Sequence, residues 1–342
     1  MDVRLSDEQR ALRDAAAAVV TKLGPGSVAD LDDAERATRL DAAIAAAGWR
    51  DLRMADDDGS PLASAVEVAL VAEELARGPA DAAFIGPVLA GELRRLAGAP
   101  ASEVPETIAM QRDLAALARG TAPAIAIDAF GARKALRVGA GVSDSRQTTV
   151  VSVPVAAVST DAVDLTRSAV VIDAADGEIE PVGGVVDDAL VRFAALGLAV
   201  GSADLVGVMR GALDLACEYV ATRRQYDVAV GSFQAVQHLL ADAHVAMEGS
   251  RSIALHAAWA VDALDPRDAL AVAAASKAYC ARAARLVCET SIQAHGGIGN
   301  TWDCKAHLYL RRALVSTELF GGVGPSLQLV LAHETGVGDG LR

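Results

Sequence analysis

From residue 188 onward, apolar side chains keep a helical period almost to the C-terminal end. The windows 188–223, 233–262, 266–294 and 303–332 each carry it. In the second, Phe233, Val236, Leu240, Ala243 and Met247 recur at spacings of three and four, which lines them along one stripe of a helix. Asp265-Pro266 parts the second window from the third, because proline suits a helix's first turn and breaks its interior. Long amphipathic helices joined by short turns bury their stripes against one another, so these four predict a four-helix bundle. The composition agrees: 52% of residues are hydrophobic but only 4% aromatic, a mix that favours closely packed helices over sheet.

Upstream the pattern changes twice. Ser6 with Gln9 three residues on is a capping-box signal; Leu12, Ala15, Ala16 and Val19 then share a face, and Gly24-Pro25-Gly26 ends it. Further helices fit about 33–47, 62–76 and 83–96. In the 62–76 window Val66, Ala69, Leu70 and Leu75 point one way and Glu73-Glu74 the other. Asp56-Asp57-Asp58-Gly59 reads as a solvated turn, since its spacing is not that of an EF-hand and no Glu closes the loop. Then come four short β-branched runs, 124–127, 135–138, 148–153 and 169–172, with Gly139-Ala140-Gly141 as a hairpin turn. The expectation is a mainly α protein with a small β domain: an N-terminal helical domain over 1–104, a central antiparallel, β-barrel-like domain over 105–187, and the C-terminal four-helix bundle over 188–342.

A formal net charge of -14 argues against nucleic acid, for no basic run could neutralise its phosphates. It leaves room for a phosphorylated small molecule, which needs only one or two local cations. The cysteines, Cys217, Cys280, Cys288 and Cys304, form no CxxC pair and predict reduced, mostly buried thiols. No His or Cys has metal-ligand spacing to His295, and no metal site is expected. The first residues lack a signal-peptide pattern, and apolar runs such as 194–200 fall short of the ~20 residues that span a bilayer. A cytoplasmic protein without membrane insertion is the expectation.

Three motifs could carry chemistry. Arg223-Arg224-Gln225-Tyr226 offers a guanidinium for a pyrophosphate, an amide and a flat ring, although a double Arg also serves as a solvated helix C-cap. Ser232-Phe233-Gln234 opens a helix, with Ser232 as N-cap and free N–H groups for an anion. Gln293-Ala294-His295-Gly296-Gly297-Ile298-Gly299 is either a helix C-cap or a glycine turn against which a ligand lies; a lone His at a helix end is more often structural than a base. No G-x-S-x-G and no G-x-G-x-x-G after a strand is present.

Taken together and in this order, the three motifs resemble the acyl-CoA dehydrogenase family. Leu5-Ser6-Asp7-Glu8-Gln9-Arg10 and Val71-Ala72-Glu73-Glu74-Leu75-Ala76-Arg77-Gly78 resemble its early helices. The resemblance implies the same three-part fold, FAD as cofactor, and tetramers built as dimers of dimers. By position it implicates Arg223, Gln225, Tyr226, Gln234, Gln293, Gly296 and Gly297 in holding the ADP half of an FAD whose flavin sits in the neighbouring subunit. Tyr226 stands where the family usually has Phe, and Asp227 where it usually has Gly.

Two departures follow. The family's base, a carboxylate before the last helix, falls at Phe320 within Leu319-Phe320-Gly321-Gly322, and its alternative base falls near Gly197. No flavin-covering Thr-Glu-Pro-like stretch or Trp-x-Thr/Ser lies between Ala101 and Gly184. The resemblance thus implies no catalytic residue here. It points to the base-lacking subunit of an actinobacterial α2β2 acyl-CoA dehydrogenase that forms 2-enoyl-CoA, with a homologous partner subunit, an acyl-CoA substrate of steroid side-chain type, and an electron-transfer flavoprotein as acceptor. Two alternatives stay open: a self-sufficient homo-oligomer using Glu318 as base, and a flavin-free structural or dehydratase-like CoA binder.

Overall fold

The computed structural model describes residues 4–142, 147–155, 162–173 and 179–336. Four helices come first: α1 (Asp7–Leu23), α2 (Ala34–Ala46), α3 (Ala65–Arg77) and α4 (Ile85–Leu96). Ser6 and Gln9 form the expected capping box on α1. Ser64 and Glu67 form a second on α3, starting that helix three residues later than the period alone suggests.

Helix α3 is buried on every side, the face opposite its apolar stripe included. Glu73 and Glu74 are each only 3% exposed, not on a solvated face. Arg210 donates to both, and Arg251 lies 3.2 Å from Glu73. Periodicity marks a polar face but not the cations that another helix brings to it. Burial pushes the Glu73 carboxyl up, against the pull of Arg210 and Arg251.

The strands are β1 (Glu106–Met110), β2 (Ala124–Ile127), β3 (Lys134–Val142), β4 (Gln147–Pro154), β5 (Ala169–Ile172) and β6 (Glu180–Val186). They form one sheet in the order β5-β2-β1-β3-β4-β6. Neighbours run antiparallel except β1 and β3, which are parallel with Ile108 opposite Leu136. Among the described residues this sheet is open rather than closed into a barrel. Strands β1 and β6 escaped the sequence reading. The first lies against α4, all five of its residues buried, and so lacks the in–out alternation that signals a strand. The second is diluted by Pro181, Gly183 and Gly184. Gly139-Ala140-Gly141 is not a turn but part of β3; residues 143–146, which join β3 to β4, lie outside the described residues.

The bundle begins with α5 (Asp187–Thr222), followed by α6 (Gln234–Ala263) and α7 (Pro266–His295). The fourth expected helix is two, α8 (Ala306–Glu318) and α9 (Val323–Thr335). They part because Phe320 and Gly321 take positive φ, 60° and 93°, which no right-handed helix accommodates.

Helix α5 is the axis of the molecule. It contacts α3, α6, α7 and α8. A Cβ on Gly207 would stand 2.0 Å from the Glu73 carbonyl oxygen, and one on Gly211 2.2 Å from that of Arg77. The two backbones cross too closely for any side chain at either position. Contrary to the expectation from its short runs, α5 holds a window long and apolar enough to cross a membrane, with mean hydropathy 1.7. However, 72% of that window is buried inside the protein, as befits a core helix. The 306–335 stretch also passes that test, at a mean hydropathy of 1.2 with 33% of its window buried. It is broken between α8 and α9.

Candidate cofactor site

The sites singled out in the sequence gather where α5 and α7 end and α6 begins. Helix α5 closes with the Arg223 N–H donating to the Tyr219 carbonyl at 2.8 Å. The chain then makes a short hairpin, β7 (Arg224–Gln225) and β8 (Val228–Ala229), with Arg224 opposite Ala229. Its two turn residues, Tyr226 and Asp227, both have positive φ, 51° and 64°, as a two-residue type I′ turn requires. Asp227 therefore takes the backbone conformation that a glycine accepts at no steric cost. The Val230 N–H returns to the Arg223 carbonyl at 2.8 Å and locks the hairpin to the helix end.

The side chains there face outward. Tyr226 is 90% exposed, its ring edge-on to Phe233 at 6.4 Å. Arg223, Gln225 and Gln234 are exposed, and no carboxylate pairs with the Arg223 guanidinium among the described residues. Arg224 is turned back onto the Asp227 carbonyl. Ser232 is not the N-cap: its hydroxyl donates to the Ala229 carbonyl at 2.7 Å, and Phe233 occupies the cap position. The intervening 3-10 turn, Val230–Ser232, holds Ser232 one residue too far from the first free N–H groups.

The end of α7 lies alongside. The His295 ring stacks on Tyr219 of α5, centroids 4.5 Å apart, and its Nδ1 lies 2.7 Å from the Ser291 carbonyl. The Ser291 hydroxyl donates to the Ala212 carbonyl at 2.7 Å, so α5 and α7 run parallel and finish together. His295 is 6% exposed and serves to join these ends. Gly296 caps α7 with φ 66°, and a Cβ at Gly296 or Gly297 would meet nothing within 4 Å. Gln293, Gly296 and Gly297 are exposed. The rim thus offers an unpaired guanidinium, amides, a ring and bare backbone on one open end of the bundle, a donor set suited to a pyrophosphate and its sugar.

The second feature is a filled crevice between bundle and sheet. Phe320 is 8% exposed. Its N–H donates to the Leu114 carbonyl at 2.8 Å, and Leu114 is itself in positive φ, 59°. Its ring meets Phe193 edge-to-face at 5.9 Å. Beneath it lies Gly197, where a Cβ would stand 2.5 Å from the ring. The two positions that resemblance marks for a base are thus pressed against each other, one aromatic and one without a side chain. Glu318 is exposed; its Oε2 lies 3.0 Å from where a Cβ on Gly322 would be, turned over the backbone of the α8–α9 break.

Charged groups that the sequence reading passed over hold this break in place. Lys277 of α7 is fully buried and donates to the carbonyls of Ser316, at 2.7 Å, and Leu319. Burial pushes its ammonium down to about 7. Asp204 of α5 accepts from the Ser316 hydroxyl at 2.6 Å, from Arg312 at 2.7 Å and from Arg167 at 2.8 Å. Burial opposes its ionisation, but Arg167 and Arg312 prevail and hold the carboxyl down at about 2. The signal was available: a charge on the apolar stripe of a core helix is buried only with a partner.

Residues 195–326 match the family model of the acyl-CoA dehydrogenase C-terminal domain. That match is to 132 of the 342 residues and falls on the bundle. Acyl-CoA dehydrogenase FadE34 of Mycobacterium tuberculosis is 38% identical over 141 residues, 41% of this chain and 20% of FadE34; the chain thus spans a minor part of that relative's length. Among solved structures, the ChsE4-ChsE5 complex from Mycobacterium tuberculosis aligns over 98% of this chain and 99% of that one, with TM-score 0.77 and 24% identity. The FAD complex of PigA aligns over 98% and 100%, with TM-score 0.70 and 18% identity. At these identities the structures show a shared fold, one that takes in the N-terminal helices and the sheet as well as the bundle.

Proposed function

We propose that this chain is the base-lacking subunit of a hetero-oligomeric, FAD-dependent acyl-CoA dehydrogenase forming 2-enoyl-CoA. The observation that carries the reading is the Phe320 ring packed onto Gly197. A dehydrogenation of this kind needs a carboxylate to take the proton α to the thioester. Here the two positions that could supply it hold an aromatic ring and a hydrogen. When bound, FAD supplies the acceptor for the hydride from the β carbon. This chain's own residues do the binding: Arg223 neutralises the pyrophosphate, Gln225, Gln234 and Gln293 offer amides to phosphate and ribose oxygens, Tyr226 covers a planar group, and Gly296-Gly297 lets the nucleotide lie on backbone. A homologous partner subunit brings the base and the flavin pocket. The heteromeric ChsE4-ChsE5 neighbour supports that division of labour, and the FAD complex of PigA supports the cofactor. A steroid side-chain CoA thioester as substrate, an electron-transfer flavoprotein as acceptor and a cytoplasmic site of action go with the same reading.

The test is the flavin content of the complex co-expressed with its partner. Arg223→Ala is expected to strip FAD while the subunits still co-elute. FAD per assembly unchanged by Arg223→Ala favours the flavin-free reading. A yellow, active preparation of this chain alone overturns the shared site and returns Glu318 to consideration.

A further inference from the structure

The break between α8 and α9 closes over an amine. Lys277 of α7 is fully buried, and its two hydrogen bonds among the described residues go to the Ser316 and Leu319 carbonyls. Both carbonyls lie at the C-terminal end of α8, where a helix leaves its last acceptors without intrahelical donors. Lys277 thus caps α8 from the side. It also sits on the backbone of α5, for a Cβ on Gly201 would stand 3.3 Å from its Nζ. Gly197, one turn earlier, lies under the Phe320 ring. Two glycines four residues apart share one face of α5, so amine and ring are seated on neighbouring turns, and the segment that carries the ring covers the amine.

That seat fits a neutral amine. An ammonium has three N–H donors, but only two acceptors meet it here; a neutral amine has two donors, one for each carbonyl. No carboxylate pairs with Lys277 among the described residues. Asp204 of α5 and Glu318 of α8 favour its charge from further off, and Arg167, from the segment before β5, opposes it. On α7 itself, burial pushes the Cys280 thiol up to about 12, so it stays uncharged through the neutral range. An ammonium buried without a carboxylate is costly and a neutral amine is not, which brings Lys277 down to about 7 from an ordinary 10.5. The covering segment has the backbone of a hinge. Phe320 and Gly321 take positive φ, 60° and 93°. Besides Lys277, it is held by the Phe320 N–H on the Leu114 carbonyl at 2.8 Å and by the edge-to-face contact of its ring with Phe193.

We propose that Lys277 is a positioning residue for this hinge, and that above neutral pH the 319–322 segment opens only with uptake of one proton by the buried amine. Closed, the segment keeps Phe320 on Gly197; open, it solvates the ammonium and empties the slot beneath the ring. The proposal concerns how the slot opens, not which subunit brings a base or a flavin, so it does not rest on the proposed function. The sign follows from linkage. The open state holds the proton more tightly than the closed one, so opening is easiest below about 7, where Lys277 is charged in both states. Above that it becomes about tenfold rarer with each pH unit, up to the ordinary 10.5.

The test is amide hydrogen exchange of the full chain between about pH 6 and pH 9. It is read by mass spectrometry on the peptide covering residues 316–323 and corrected for the intrinsic pH dependence of exchange. In wild type the opening constant for Phe320 and Gly321 should be level below about pH 7 and fall about a hundredfold from there to pH 9. Lys277→Met keeps the length of the side chain but has no proton to bind, and its profile should be level throughout. In both proteins the break should exchange well ahead of the α7 amides. A level wild-type profile, or the same slope in Lys277→Met, overturns the proposal. So does equal protection of the break and of α7 at every pH, for then the segment opens only with the whole fold. Should Lys277→Met fail to fold, the wild-type slope and its comparison with α7 decide.

Discussion

Replacing Asp204 by asparagine is expected to lower the free energy of unfolding by about 3–5 kcal/mol, the usual cost of removing one partner from a buried ion pair. Two guanidiniums converge on this carboxylate. Arg312 comes from α8 and Arg167 from the segment before β5, and both are at least nine-tenths buried. Asparagine keeps the shape and can still accept from Ser316, so the loss isolates the charge. Arg312 retains the Ala80 carbonyl and Thr166 hydroxyl, but Arg167 is left with Asp128 and Asp164, each at 3.7 Å. The pH dependence has a fixed sign. The folded carboxyl titrates at about 2 against an ordinary 3.8, so the unfolded chain holds the proton more tightly. The contribution is complete above 3.8 and is lost as pH falls through about 2; it accounts for roughly 2–3 kcal/mol of the total. Urea midpoints of wild type and Asp204→Asn should lie well apart near neutral pH and converge in strong acid. Midpoints equally far apart at both pH values show that shape rather than charge is at stake.

The same residue shows what the sequence could and could not disclose. The existence of α5, α6 and α7 was plain, because each holds its period for many turns and ends at a recognisable stop, with ends off by no more than one residue. The strands β2 and β5 were plain for their β-branched content. What stayed hidden depends on partners distant in the chain. Nothing near Glu73 announces that Arg210, 137 residues on, meets it. Strand β1 looked like a loop because it is buried throughout against α4. The α8–α9 break is set by Phe320 adopting positive φ, which no propensity favours in an aromatic residue; Leu114, Lys277 and Phe193 determine it from outside the segment. Likewise the motifs at Arg223 and Gln293 were legible as motifs. Their meeting at one end of the bundle follows from the Tyr219–His295 stack, which no local pattern announces. The two carbonyls that hold Lys277 have no sequence signal at all, since hydrogen-bond satisfaction is a property of the packed state.

Phe320 and Gly197 should behave as one unit in a double-mutant cycle, and the cycle has an unusual sign. Phe320→Ala alone is expected to cost about 3–5 kcal/mol. Gly197→Ala alone places a methyl group 2.5 Å from the Phe320 ring. Overpacking costs about 1–3 kcal/mol; with three ring atoms at 2.5–2.6 Å the upper part of that range applies, which outweighs the ~1 kcal/mol that alanine gains over glycine inside a helix. With Phe320 already truncated, the methyl group enters vacated space and only the helix gain remains. Gly197→Ala therefore destabilises the wild type and stabilises the Phe320→Ala variant, a coupling within the range seen for residues in contact. Equal destabilisation in both backgrounds means that something other than the ring excludes a side chain at Gly197. The reversal also bears on chemistry. Phe320→Glu puts a carboxylate into a slot walled by Phe193 and the bare backbone of α5, where burial raises its pKa and favours the neutral acid.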